Sequence, residues 1–124
     1  MAMTAKEYLD LVSLYEKTPK DVIAANVNLL FGFDGPMPIS SPSNRRTEIL
    51  CKLTESARYT VLGWMNCGQA RKNVRIPLQK LCIIAQTFNV DIQDLLDPES
   101  LWYRNDIELQ IRLMNKLEEL KTSL

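Results

Sequence analysis

Residues 48–68 read EILCKLTESARYTVLGWMNCG. Ile49, Leu50 and Leu53 fall at helical spacing in a helix that begins at about Arg46 or Thr47. TESA forms a tight turn, and Val61, Leu62, Trp64 and Met65 make the apolar side of a second helix over about 58–66. Gly68 ends it, as glycine commonly does.

Working outward, QARKNVR is a polar, basic linker, and Pro77 sits where a first-turn proline belongs. PLQKLCIIAQTF is then a helix with Leu78, Leu81, Cys82, Ile84, Ala85 and Phe88 apolar, closed by Asn89. VDIQDLLDPE predicts a short helix capped by Asp91 and ended by Pro98. The last helix is expected from about Glu99 to Lys121, and its apolar residues cover roughly half of the circumference. A surface helix shows a narrower stripe, so two clients are expected, its own domain and a second chain.

Upstream, GFDGPMPISSPSN at residues 32–44 is a loop by its glycines, prolines and serines, and long for a compact domain. Thr18-Pro19 opens a helix over 19–31, with Val22, Ile23, Val27, Leu30 and Phe31 apolar. Thr4 caps a first helix over 4–16, with Glu7 at the capping-box position. There is no convincing strand and no internal repeat, and the fold is expected to be all-α. Three parts follow. These are an N-terminal helix over 1–18, a central domain over 19–98, and an amphipathic C-terminal helix over 99–124.

The 124 residues suit one domain, and 46% hydrophobic with 24% charged residues is ordinary globular composition. No apolar run approaches a membrane span, and the amphipathic, acid-bearing N-terminus does not read as a signal peptide, so the chain is expected to be cytoplasmic. Three cysteines without CxxC spacing, and no histidine, argue against a disulfide framework and a zinc site. The missing histidine also excludes serine–histidine and cysteine–histidine catalysis. Cys51 and Cys82 read as core filler, and Cys67 beside Gly68 as a loop thiol. Asp91, Asp94 and Asp97 share a helix face, which capping explains more simply than a metal does. No enzyme, cofactor or metal is expected.

Net charge zero hides a segregation: −2 over residues 1–43, +6 over 44–82 and −4 over 83–124. A basic centre between acidic ends suits a protein that offers one face to a polyanion.

EILCKLTESARYTVLGWMNCG followed by IPLQKLCIIAQTFNVDIQDLL resembles the lambda-repressor-like (Cro-type) helix-turn-helix DNA-binding family over residues 20–97, most specifically over 60–97. Leu50 and Cys51 stand for that family's leucine and small residue, Val61 and Trp64 for its packing seam, and the proline-led helix and short VDIQDLL helix match closely. The family's turn glycine is Glu55 here, and the apolar residue after it is Ser56. The resemblance implies a compact helical bundle that docks helix 58–66 in the major groove.

In that arrangement the N-terminal residues of the second helix reach base edges. These are Arg58, Tyr59 and Thr60, with Leu62 and Gly63 a turn on, where glycine would permit close approach to DNA. Arginine is the commonest specific partner of guanine. Arg45, Arg46 and Thr47 at the first motif helix, and Arg71, Lys72 and Arg75 after the second, are the expected phosphate contacts. If about six phosphates are neutralised, the log–log salt slope of binding is near −5. Two half-sites require a homodimer, for which Leu109, Leu113, Leu117 and Leu120 are the expected contacts, with helix 4–16 as a second element. The resulting expectation is a dimeric transcriptional regulator, a repressor on family grounds, on the nucleoid when bound. The alternative is a protein-interaction adaptor or antitoxin-like regulator that binds another protein with the same fold.

Overall fold

The computed structural model describes residues 3–32, 45–65 and 74–123, and the expected loop over 32–44 lies outside them except for Gly32. Among these residues the chain forms seven α-helices and one 3-10 helix, and no strand. In order they are α1 (Ala5–Lys17), α2 (Lys20–Leu30), α3 (Arg46–Thr54), α4 (Arg58–Met65), α5 (Leu78–Phe88), the 3-10 helix Ile92–Leu96, α6 (Leu101–Arg104) and α7 (Ile107–Thr122). No helix is long and apolar enough to cross a membrane among the described residues.

At five of the described helix ends the local chemistry is what the sequence predicts. Thr4 accepts from the Glu7 amide at 3.1 Å. Pro19 and Pro77 stand at the starts of α2 and α5 in extended conformation, where a missing amide hydrogen costs nothing. Asn89 closes α5 in the left-handed region, at φ 53°. Asp91 accepts from the Gln93 amide at 3.0 Å and caps the 3-10 helix. Asp97 accepts from the Glu99 and Leu101 amides at 2.9 and 3.0 Å, across the Pro98 corner. Asp94 lies between these two carboxylates. Partial burial, and then the charges of Asp91 and Asp97, raise its pKa.

The C-terminal region departs from the single helix expected. It breaks at Asn105-Asp106, because Asp106 caps a fresh helix by accepting from the Leu109 amide at 2.9 Å. The break re-registers α7. Leu113 and Leu117 turn into the core, with Leu109 and Leu120 packed against it. Leu113 and Leu117 therefore belong to the chain's own core rather than to the dimer contact the sequence suggests, and Leu109 and Leu120 are half-buried at its edge. The outward apolar row is Ile107, Ile111 and Met114, exposed by 71%, 53% and 65%.

The core is built around α2, whose Ile23, Val27 and Leu30 are fully buried among Ile49, Leu50, Val61, Trp64, Leu81, Ile84, Phe88 and Leu95. Phe31 and Phe88 meet edge to face at 5.4 Å. At the centre sits a polar residue, Asn26, completely buried. Its amide nitrogen donates to the Leu95 and Asp97 carbonyls at 3.0 and 2.8 Å. Its oxygen accepts from the Ser100 hydroxyl at 2.8 Å and the Trp102 indole at 3.2 Å. Two donors and two acceptor sites are all that a side-chain amide has, and all are used. This node fixes the 3-10 helix and α6 onto α2.

Candidate nucleic-acid interface

The junction between α3 and α4 is set by three backbone features. Glu55 takes the left-handed conformation at φ 52°, ψ 44°. The Ser56 amide then reaches back past it to the Cys51 carbonyl at 3.1 Å. The Ser56 hydroxyl and Lys80 Nζ both donate to the Thr54 carbonyl, at 3.2 and 2.6 Å, so the end of α3 is closed by a cation from α5. Glutamate holds a conformation that suits glycine, at a cost of about 1–2 kcal/mol for a residue with a Cβ. Glu55→Gly is therefore expected to raise stability by about 1 kcal/mol, seen as a Tm several degrees higher in a thermal melt. A lower Tm would mean that the Glu55 side chain contributes more than its backbone strain costs.

After this turn, Ala57, Arg58, Tyr59 and Thr60 are four successive exposed positions, with Tyr59 exposed by 72%. The next five residues, Val61 to Met65, are all buried. Exposure therefore separates the expected base-reading residues. Arg58, Tyr59 and Thr60 form one exposed turn. Leu62, exposed by only 8%, and Gly63 face the interior instead. The Val74 amide donates to the Gly63 carbonyl at 2.9 Å, and a Cβ on Gly63 would lie 3.7 Å from the Val74 side chain. Gly63 faces the returning chain, which corrects the expectation of close approach to DNA. Val61 and Trp64 are buried as the packing seam.

The basic centre is largely committed to internal bonds. Arg46 is buried to 6% exposure and donates from Nη1 to Asn28 Oδ1 at 2.7 Å, so it holds α3 to α2 rather than meeting a phosphate. Lys80 closes α3, and Lys52 donates to the Ser123 carbonyl at 2.8 Å at the end of α7. Arg75 is half-buried. It donates from Nη1 to the Tyr15 carbonyl at 2.7 Å, with its guanidinium 5.2 Å from the Tyr15 ring centre. Arg45 stays exposed, in an ion pair with Glu48, and an exposed pair of this kind contributes little. Thr47 is half-buried. Arg71, Lys72 and Cys67 lie outside the described residues.

Partial burial pushes both described thiols up. For Cys51 the nearby Arg58 opposes that rise and Glu48 adds to it, while for Cys82 burial acts alone. Both are therefore protonated near neutrality and poor nucleophiles. Among the described residues no group of three acidic, cysteine or histidine side chains could hold a metal ion.

Sequence reading missed Asn26, Lys80 and Val74. A polar residue in an apolar helix gives no sign of burial, and an exposed lysine and one closing a distant helix look alike. Comparison with protein-family models, with curated proteins and with solved structures finds no match to this chain.

Proposed function

We propose that this protein is a sequence-specific DNA-binding regulator of transcription, a repressor in style, built on the helix-turn-helix plan that its sequence resembles. The supporting observation is the exposed turn Arg58-Tyr59-Thr60, which opens a helix whose remaining residues are buried. Such a helix has its core side anchored and only its N-terminal turn available, which is the part of a recognition helix that meets base edges. Arg58 is the base reader of choice, through two parallel hydrogen bonds to guanine. The left-handed Glu55 supports the same reading, since it gives the turn the backbone that a glycine would supply.

The protein acts as a homodimer on two half-sites. With Leu113 and Leu117 in the core, the apolar row Ile107, Ile111 and Met114 is the α7 surface left for a second chain. The same row also favours the second reading, a regulator that binds another protein. Selection of bound sequences from a random duplex library separates them. An enriched inverted repeat with half-sites about 10 base pairs apart supports the dimeric operator binder. No enrichment, with complex formation lost in Ile111→Glu, supports the protein-binding reading.

The internal bonds of Arg46 and Arg75 change the expected salt dependence. Arg45, with Arg71 and Lys72 counted from the sequence, leaves about three phosphate contacts. The log–log slope of binding against salt is then near −2.7 rather than −5. Titrations between roughly 50 and 200 mM salt measure it, and a slope near zero would remove phosphate contact from the proposal.

A further inference from the structure

α1 is held to the body at its C-terminal end. Residues 5–10 are exposed throughout, and Leu11 is its only fully buried residue. Beyond Leu11, a reciprocal clamp holds it. The Tyr15 hydroxyl donates to the Ile76 carbonyl at 2.6 Å, while Arg75 donates to the Tyr15 carbonyl and lies over its ring. The clamp bridges some 60 residues of sequence. Partial burial of Tyr15 raises its pKa, partly offset by the Arg75 charge.

The clamp sits beside α4. Val74, the neighbour of Arg75, is bonded to the Gly63 carbonyl in the middle of that helix. Arg75 is thus a cation that α1 engages beside α4. We propose that this contact is autoinhibitory: α1 and a DNA phosphate compete for the same guanidinium. The proposal rests on the DNA-binding reading above.

The energetics allow such an exchange. A helix of 13 residues is marginal on its own in water, so α1 depends on its docking. The Tyr15 carbonyl lies in the last turn, where a cation is favoured by the helix dipole and its loss is felt. A phosphate offers Arg75 a full charge and two parallel bonds in place of one carbonyl. By linkage, whatever releases α1 strengthens DNA binding, and DNA binding loosens α1 by the same factor.

The test is the salt dependence of duplex binding by the full chain and three variants. In Tyr15→Ala the slope is expected to steepen by about 0.9, one further phosphate contact. In the Tyr15→Ala/Arg75→Ala double variant the slope is not expected to steepen. An unchanged slope in Tyr15→Ala overturns the competition. Should Tyr15→Ala lose its helical circular dichroism, Tyr15→Phe keeps the ring and removes only the bond to Ile76, with a smaller steepening expected. Amide exchange of the unaltered chain gives a readout without substitution. Exchange in residues 5–17 is expected to quicken on adding duplex, and unchanged or slower exchange overturns the proposal. Failure of the unaltered chain to bind any duplex would overturn the DNA reading and this competition together, an outcome distinct from binding with an unaltered slope.

Discussion

Replacing Asn26 by leucine is expected to lower the unfolding free energy by about 4 kcal/mol, the largest effect of any single change considered for this chain. Leucine matches the volume and supplies none of the bonds. Two carbonyls, Leu95 and Asp97, lose their donor, and the Ser100 hydroxyl and Trp102 indole lose their acceptor. Each buried group left without a partner costs about 1–3 kcal/mol, and relaxation toward water recovers part of the total. Against a typical stability of about 5–15 kcal/mol, a loss of this size leaves the chain close to its folding threshold. Urea titration followed by tryptophan fluorescence measures it, since Trp64 and Trp102 both report on this core. Ser100→Ala should cost only about 1 kcal/mol, because it removes a single bond. A leucine variant that loses less than about 1 kcal/mol would mean that water enters and replaces the amide.

Arg58→Ala is expected to abolish discrimination at one base pair of each half-site. A bidentate arginine–guanine contact is worth about 1–3 kcal/mol, or roughly 5- to 150-fold in relative affinity. The side chain is exposed, so stability should stay within about 0.5 kcal/mol of the unaltered chain. Arg58→Lys should not restore discrimination, because a point charge lacks the planar fork. Competition binding between the preferred duplex and one altered at a single position reads the effect. A uniform loss on all sequences would make Arg58 a phosphate contact, and no loss on any would remove α4 from the reading role.

The elements of the fold were largely legible because local chemistry announces them. Thr4, Pro19, Pro77, Asn89 and Asp91 each act at the helix end where their side chain or backbone suits the cap. The break at Asp106 is not read from the sequence, because the apolar spacing runs on across it. The cap prevails because Trp102 is held to Asn26, which fixes α6 before α7 begins. Burial within a helix was harder to read. Val61 and Trp64 follow from periodicity, whereas the inward placement of Gly63 depends on Val74 returning beside it. Charge was least legible. Eight cations over residues 44–82 suggest a polyanion face, yet Arg46, Lys52, Arg75 and Lys80 all bond to groups distant in the chain. Such bonds depend on where helices end in space, and no sequence window contains that.

The reach of Asn26 also bears on how the chain is made. The partners of its amide lie at residues 95 to 102, 69 to 76 positions further along. A ribosome adding about 5–20 residues each second needs roughly 4–15 s to cover that distance. For that interval the nascent chain carries α2, with Ile23, Val27 and Leu30, before the segment that covers it has been synthesised. The apolar side of α2 thus stays uncovered until residues 95–102 are made, and this largely buried helix is the stretch on which a chaperone would act.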